Sequence, residues 1–168
     1  AFAKTFGSYR SLASREPTMA LSRLTGGEVD HLPIQEQISK DNGKEMWNKL
    51  ELYTKFNWIM SLTSKMNIKE ETGLVSYHGY SLLKCIEVDT PGGRTKLCQV
   101  RNTWGRGEFT GKWSDNDTSG SWTPELKRLL GYENKDDGVF WIEYEDVIKY
   151  FLSVHLCKIV EDSLPHYV

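Results

Sequence analysis

Two strand-like segments joined by a short turn are the feature that most restricts how this chain can fold. Residues 73–88 and 94–105 are rich in Val, Ile, Leu and Tyr, and the residues between them, 89–93, read Asp-Thr-Pro-Gly-Gly. Apolar runs on either side of such a turn are typical of a β-hairpin. We therefore predict an antiparallel hairpin whose second strand returns to the start of the first.

Two polar residues lie at the open end of this hairpin. His78 is near the start of the first strand and Asn102 is near the end of the second. A turn centred on residues 91–92 places residue 102 opposite residue 81, roughly 10 Å along the strand from His78. Strict closure would put the two side chains on opposite faces, because side chains alternate along a strand. We predict one extra residue, in the loop or as a β-bulge, which restores a common face.

The bulk composition is that of an ordinary globular domain. The chain has 168 residues, of which 39% are hydrophobic and 26% charged, with a formal net charge of −2. This charge predicts no attraction to nucleic acid or to anionic membranes, and no apolar run has the length of a membrane span or a signal peptide. The three cysteines argue for a reducing compartment. Because the chain begins with Ala rather than Met, we expect it to be a piece of a longer protein.

The remaining segments predict short helices and further strands. Asn42 and Thr123 are predicted N-caps, and residues 28–42 resist assignment. The predicted helices cover residues 1–12, 17–24, 43–55, 123–130 and 146–151, and the predicted strands cover residues 56–63, 139–144 and 154–160. The fold class is therefore α+β, with an antiparallel, barrel-like sheet and a few short helices.

Three motifs, in this order, resemble those of the calpain cysteine proteases. They are Gly-Leu-Val-x-x-His-Gly-Tyr-Ser-Leu-Leu at 73–83, Val-Arg-Asn-x-Trp-Gly at 100–105 and Trp-Ser-Asp at 113–115. The resemblance implies the second subdomain of a papain-like protease core, in which the cysteine sits on the first subdomain and the histidine and asparagine on the second.

The resemblance also implies how the chain is divided. Residues 1–27 would be the end of the first subdomain and a hinge, residues 28–160 the second subdomain, and residues 161–168 a tail. The hinge would lie at Thr25-Gly26-Gly27. An ordinary glycine C-cap is the alternative interpretation of these glycines.

By the same resemblance, His78 and Asn102 would be catalytic. Imidazole titrates near neutral pH and can take a proton from a thiol, and an asparagine carbonyl can orient it without adding a charge. Trp104 would shield this pair from water, and Thr103 stands where calpains usually carry Pro. Without the motif, a lone histidine near a strand end is most often structural. The other histidines have no neighbouring motif and are interpreted as structural or surface residues: His31, His155 and His166.

None of the cysteines has the surroundings expected of a nucleophile. Cys85, Cys98 and Cys157 lie within apolar, strand-like segments, whereas a reactive cysteine needs a helix N-terminus or a nearby cation. We interpret them as buried thiols. The family motif Gln-Gly-x-x-Gly-Asp-Cys-Trp is absent. We therefore expect an upstream Cys-bearing subdomain of the same parent chain to supply the nucleophile, and this chain alone to be inactive.

A calcium site is also implied by the resemblance. Its ligands would be the carboxylates of Glu108, Asp115 and Asp137 with the carbonyls of Lys135 and Val139. Calcium prefers six to eight oxygen ligands, including carboxylates and main-chain carbonyls. The family often has Glu where Val139 stands. The alternative interpretation is two solvated acidic loops.

The resemblance thus implies the histidine and asparagine part of a calcium-dependent, cytoplasmic endopeptidase of the calpain type, acting on protein substrates. Two alternatives remain open: a calpain-like interaction or regulatory module without catalysis, and an unrelated β-rich binding domain. The sequence upstream of Ala1 would separate the first two interpretations. A Gly-Asp-Cys-Trp stretch there would support the enzyme.

Overall fold

A computed structural model describes residues 2–5, 7–10 and 17–159. Its helices are α1 (Phe2–Thr5), α2 (Pro17–Thr25), α3 (Ile34–Asp41), α4 (Lys44–Lys55), α5 (Pro124–Leu130) and α6 (Tyr144–Tyr150), with a 3-10 turn at Glu70–Thr72. Its strands are β1 (Glu28–Pro33), β2 (Ile59–Ser64), β3 (Gly79–Thr90), β4 (Gly93–Asn102), β5 (Val139–Glu143) and β6 (Phe151–Lys158). The predicted α+β class is confirmed.

The strands form one antiparallel sheet in the order β1-β6-β2-β3-β4-β5. The last strand, β6, lies between β1 and β2. The sheet therefore pairs its first strand with its last, and the central hairpin of β3 and β4 pairs with β2 on one side and with β5 on the other.

The central hairpin contains the predicted bulge. Near the turn, Thr90 pairs with Gly93 and Lys84 pairs with Gln99, but farther along Leu82 pairs with Val100. Leu83 is the additional residue between these two registers. Because of this one-residue shift, residue 102 lies opposite Tyr80 rather than opposite residue 81. Asn102 consequently shares a sheet face with Tyr80.

The main core lies between the sheet and α4. Strand β2 alternates strictly, burying Met60 and Leu62, and α4 buries Trp47, Leu50 and Tyr53 against the same face. Burying an apolar side chain of this size stabilises the fold by about 1.5–3 kcal/mol. This is the apolar stripe predicted for the helix over residues 43–55. A second cluster gathers on β3, β4, β5, α5 and the loop before α5: Val88, Leu97, Trp113, Leu126, Leu130 and Trp141.

The predicted cap at Asn42 is wrong. Asn42 ends α3 in the left-handed region, with φ +57°, and its N–H donates to the Ile38 carbonyl. Gly43 then precedes α4, also with positive φ. The unassigned residues 28–42 form β1 and α3, so a helix end occupies the position where the sequence suggests a helix start. By contrast, the predicted cap at Thr123 is confirmed, since its side chain accepts the Leu126 N–H at 3.2 Å.

Several predicted boundaries fall on residues that the structure does not describe. The predicted helix over 1–12 is described only in part, as α1, and the tail at 161–168 and His166 lie outside the described residues. Gly26 ends α2 with φ +68°, which fits an ordinary C-cap, while the hinge stays a prediction. Among the described residues, no helix is long and apolar enough to cross a membrane.

Gly73 allows the loop before β3 to pack closely against the loop that contains Glu108. Its φ is +72°, and a Cβ there would lie 1.9 Å from the Glu108 carbonyl oxygen. Beside it, the Thr110 N–H donates to the Thr72 carbonyl at 3.0 Å. Only glycine allows both the left-handed backbone and this contact.

We predict that Gly73→Ala lowers the free energy of unfolding by roughly 2–5 kcal/mol, the sum of left-handed strain and overpacking. Urea denaturation measures it. Gly131→Ala is the matched control, because Gly131 also has positive φ, at +63°, but nothing lies within 4 Å of a Cβ there. The control should lose only about 1–2 kcal/mol. Equal losses in the two variants would contradict the steric account.

Candidate active site

The backbone that carries His78 is held in place by a buried serine. Ser64, at the end of β2, is fully buried; its hydroxyl accepts the His78 N–H at 2.8 Å and donates to the Val75 carbonyl at 2.6 Å. Tyr77, just before the histidine, has φ +49°, and its N–H donates to the Lys65 carbonyl at 3.0 Å. A non-glycine residue in this region carries strain of about 1–3 kcal/mol, so the surrounding hydrogen bonds impose this turn.

Asn102 is fixed at both ends of its amide. It is the last residue of β4 and is fully buried. Its Nδ2 donates to the Gly107 carbonyl at 3.1 Å, while Oδ1 accepts the Trp104 N–H at 3.1 Å. Because the amide nitrogen faces a carbonyl and the amide oxygen faces an N–H, the network assigns the orientation of the side chain.

The two predicted site residues meet. His78 Nε2 lies 2.9 Å from Asn102 Oδ1. Since Oδ1 can only accept, Nε2 must carry the proton, and in the neutral imidazole Nδ1 then has the lone pair. The predicted hydrogen bond is therefore present, with a polarity that leaves Nδ1 able to accept a proton.

Aromatic rings surround the imidazole. Tyr80, buried one residue into β3, meets it edge to face at 5.0 Å between ring centroids. Trp104 lies at 4.5 Å on a tilted plane, but 60% of its surface is exposed. Trp104 thus covers part of the imidazole without being a core residue. Thr103 Oγ1 lies 3.5 Å from His78 Nε2 and donates to the Gly79 carbonyl at 3.3 Å.

The cysteines of this chain are buried and unactivated. Cys85, Cys98 and Cys157 are free thiols within the sheet. Cys85 and Cys98 face each other across β3 and β4 with their sulfurs 3.5 Å apart. Burial, with the neighbouring Cys98 thiol, raises the pKa of Cys85 well above its ordinary value. This is the environment of a structural thiol rather than a nucleophile.

Of the five residues predicted to bind calcium, four lie on two neighbouring loops and Val139 is the first residue of β5. Asp115, Asp137 and Val139 line one cavity of about 270 Å³. Glu108 Oε1 accepts the N–H groups of Asp137 and Gly138 at 3.1 and 2.9 Å, which ties the loops together.

Main-chain contacts involve the same set. Asp115 Oδ2 accepts the Lys135 N–H at 3.1 Å, and Asp137 Oδ1 accepts the Val139 N–H at 2.9 Å. The Lys135 carbonyl accepts the Asp137 N–H at 2.9 Å.

These carboxylates repel one another. Burial raises the pKa of Glu108, and the Asp115 carboxylate raises it further, against the opposing N–H of Gly138. Burial likewise raises the pKa of Asp115, with a further contribution from Asp137. Hard oxygens in such an environment suit calcium. In the present arrangement, however, these carboxylate oxygens accept hydrogen bonds from main-chain N–H groups. Within the described parts of the chain, no group of three or more His, Cys, Asp or Glu is placed to hold a metal ion.

The predictions from sequence assign no role in the site to three residues that contact His78. Ser64 lies outside every motif, and its role appears only when β2 and the segment before β3 are adjacent. Thr103 stands out in the sequence only because it replaces Pro, and its contact with the imidazole is visible only in the structure. Tyr80 had a usable signal, since it lies two residues after His78 and therefore on the same side of an extended chain.

Comparisons with known proteins agree with this geometry. A family model described as calpain family cysteine protease matches residues 1–158. Calpain clp-1 of Caenorhabditis elegans is 31% identical over 169 residues, which cover 98% of this chain and 21% of that protein. The calpain-2 catalytic subunit of Mus musculus is 30% identical over 167 residues, covering 98% and 24%. Calpain-type cysteine protease DEK1 of Zea mays is 31% identical over 176 residues, covering 100% and 8%. This chain thus spans a quarter or less of the length of these relatives.

The hydrogen-bond polarity at His78 predicts a single tautomer. Long-range ¹H–¹⁵N NMR spectra of the neutral imidazole should show the proton on Nε2, because Asn102 Oδ1 accepts it. In Asn102→Ala the two tautomers should both be populated. A proton on Nδ1 in the wild-type protein would contradict the assigned amide orientation, and Asn48→Ala, an exposed asparagine on α4, serves as the control.

Proposed function

This chain belongs to the calpain family of cysteine proteases, and we propose that it supplies the histidine and asparagine of a calpain-type endopeptidase site. The observation that carries the proposal is the 2.9 Å contact between His78 Nε2 and Asn102 Oδ1. This contact supports a role for Nδ1 as the base, because Asn102 orients the imidazole through its other nitrogen, Nε2. The nucleophile would come from the Cys-bearing subdomain of the same parent chain, and the substrates would be proteins.

In the proposed reaction, His78 moves protons while Asn102 holds it. The thiol of the other subdomain gives its proton to Nδ1, and the thiolate sulfur forms a bond to the carbonyl carbon of the peptide. The imidazolium then returns that proton to the amine as the C–N bond breaks, which leaves a thioester. A water molecule attacks the thioester carbon, Nδ1 takes its proton, and the thiol leaves reprotonated. Throughout, the Asn102 carbonyl dipole stabilises the positive charge on the imidazolium.

Trp104 is proposed to exclude water from this hydrogen bond. Its ring lies 4.5 Å from the imidazole, and its main-chain N–H donates to Asn102 Oδ1. Exclusion of water strengthens a hydrogen bond by lowering the local dielectric constant. The exposed side of the ring is then available to the opposing subdomain or to substrate.

Calcium binding by the two acidic loops is a further part of the proposal. Glu108, Asp115 and Asp137 provide carboxylates, and the Lys135 and Val139 carbonyls provide neutral oxygens. Burial, with a smaller contribution from neighbouring carboxylates, raises the pKa values of Glu108 and Asp115, and this supports the proposal because a bound cation stabilises their ionised forms. To bind calcium, the carboxylates would have to give up the hydrogen bonds that they now accept from N–H groups. Binding would therefore be weak, with a Kd on the order of 10–1000 μM. When bound, calcium would supply positive charge that joins the two loops.

A cytoplasmic location is proposed with this function. The three cysteines are free thiols, which is the state that a reducing compartment maintains. The formal net charge of −2 supports protein substrates rather than nucleic acid as partners.

We predict that this chain alone does not cleave peptides, since its thiols are buried away from His78. A peptidase assay on the purified chain and on its Cys85→Ser, Cys98→Ser and Cys157→Ser variants measures this. Activity that disappears in only one of these variants would place the nucleophile within this chain and would overturn the division of the site between two subdomains.

In the parent protein, His78→Ala should lower kcat/KM by at least about 10³-fold, because the base is lost. Asn102→Ala should cause a smaller loss, on the order of 10–100-fold, because the base remains but is no longer oriented. Steady-state assays measure both, and thermal melting shows whether each variant is folded. Asn48→Ala is the control and should retain full activity. A folded His78→Ala variant with normal turnover would favour the non-catalytic module.

Calcium should raise the melting temperature of this chain, because it binds the folded loops only. Magnesium should not. The increase should shrink as pH falls, since the carboxyls with raised pKa values take up protons before ordinary carboxyls do. The pKa values of these carboxyls are higher in the folded than in the unfolded protein, so their ionisation destabilises the calcium-free fold as pH rises. A bound cation removes this destabilisation.

The test variant for calcium is Asp115→Asn with Asp137→Asn, and it should lose the increase in melting temperature. Glu125→Gln, which removes an exposed carboxylate on α5, is the control and should keep it. An unchanged melting temperature in the wild-type chain up to roughly 10 mM calcium would count against the site.

A further inference from the structure

A cavity opens directly beside the proposed base. It has a volume of about 410 Å³ and is lined in part by Tyr77, His78 and Gly79. On the other side it reaches His31 and His155, which the sequence suggested were structural or surface residues. A peptide held at His78 would therefore have one side chain next to this cavity.

Two stacked imidazoles form one side of the cavity. Strand pairing places His31 of β1 directly opposite His155 of β6, and their rings are nearly parallel, with centroids 4.9 Å apart. His155 is buried, and its Nε2 lies 3.0 Å from Thr63 Oγ1 and 3.2 Å from Ser153 Oγ. The hydroxyls of β2 and β6 therefore hold His155, and His155 in turn supports the ring of His31.

His31 is the ring that a ligand can reach. It is exposed, and the described residues provide no hydrogen bond to either of its ring nitrogens. Stacking on the buried ring restricts the orientation of the imidazole while leaving those nitrogens available. A partly fixed donor at the mouth of a cavity costs less conformational entropy on binding than a mobile side chain would.

The lining favours hydrogen-bond acceptors over cations. Its polar side chains are hydroxyls and imidazoles, and among the described residues that line it there is no Asp, Glu, Lys or Arg. A lysine or arginine side chain would lose water there without meeting a carboxylate. Imidazole near neutral pH carries either no charge or a positive one, so a carboxylate or amide oxygen is the better partner.

We propose that this cavity binds a glutamate or glutamine side chain of the peptide substrate, with His31 and His155 as specificity-determining residues. The proposal rests on the proposed peptidase function. His31 donates to the side-chain oxygen from the mouth of the cavity. Pro33 and Leu152 contact its methylene groups, and His155 keeps the His31 ring in place.

The test uses the parent protein and peptides that differ only at one position near the scissile bond. Peptides with Glu or Gln at the position that faces the cavity should be cleaved with kcat/KM about 5–10-fold higher than the Leu peptide, the effect of about one hydrogen bond. The Lys peptide should be the poorest. His31→Phe keeps a ring that can stack but has no donor, and it should abolish the preference, so that this variant cleaves the Glu, Gln and Leu peptides with about equal kcat/KM.

Two controls separate this effect from a loss of folding. His31→Gln restores a donor at the same position and should recover part of the preference. Asp30→Asn changes the neighbouring exposed carboxylate on the opposite face of β1 and should leave the preference unchanged. If the parent cleaves peptides but His31→Phe has the wild-type preference at every position, the inference is overturned while the peptidase function stands.

If the parent protein cleaves no peptide, the proposed function is refuted, but the cavity has not been tested. A binding measurement on this chain then tests the cavity directly. NMR of the His31 and His155 imidazoles, titrated with N-acetyl-glutamine methylamide at millimolar concentration, should then show saturable shifts, whereas N-acetyl-lysine methylamide should cause none. Equal shifts with both compounds, or no shift with either, would overturn the inference.

Discussion

The hydrogen bond from His78 to the Asn102 amide is the interaction on which the site depends. It can have only one polarity, because Gly107 and Trp104 fix which end of the amide is the oxygen. Burial of Asn102 within the sheet makes that orientation costly to change, since a reversed amide would leave several polar groups unpaired. The fold thereby determines which imidazole nitrogen can act as a base, before any substrate or second subdomain is present.

The pairing of these two residues could be predicted because it follows from strand parity. Side chains alternate, so a common face for His78 and Asn102 required an additional residue, and Leu83 is that residue. The apolar stripe of α4 and the cap at Thr123 were predictable for a similar reason, since both are local patterns. Asn42 was misassigned because the same residue type favours a helix start and, in the left-handed conformation, a helix end.

The rest of the site depends on contacts between residues far apart in sequence. Ser64 reaches the backbone of His78 only through the pairing of β2 with β3. His31 meets His155 only because β6 returns to pair with β1, and no local pattern predicts that register. The orientation of the acidic loops could not be predicted either. Glu108 accepts the N–H groups of Asp137 and Gly138, and nothing in the sequence shows that these groups lie near it.

The central claim is that His78 presents Nδ1 to a thiol carried by another part of the parent protein. The rate at which iodoacetamide alkylates that thiol, measured in the parent between about pH 5 and about pH 9, tests it most directly. With His78 present, a thiolate paired with the imidazolium should react well below the usual thiol pKa of about 8.5, and in His78→Ala the rate should rise only near that value. Identical pH profiles for the two proteins would contradict the account.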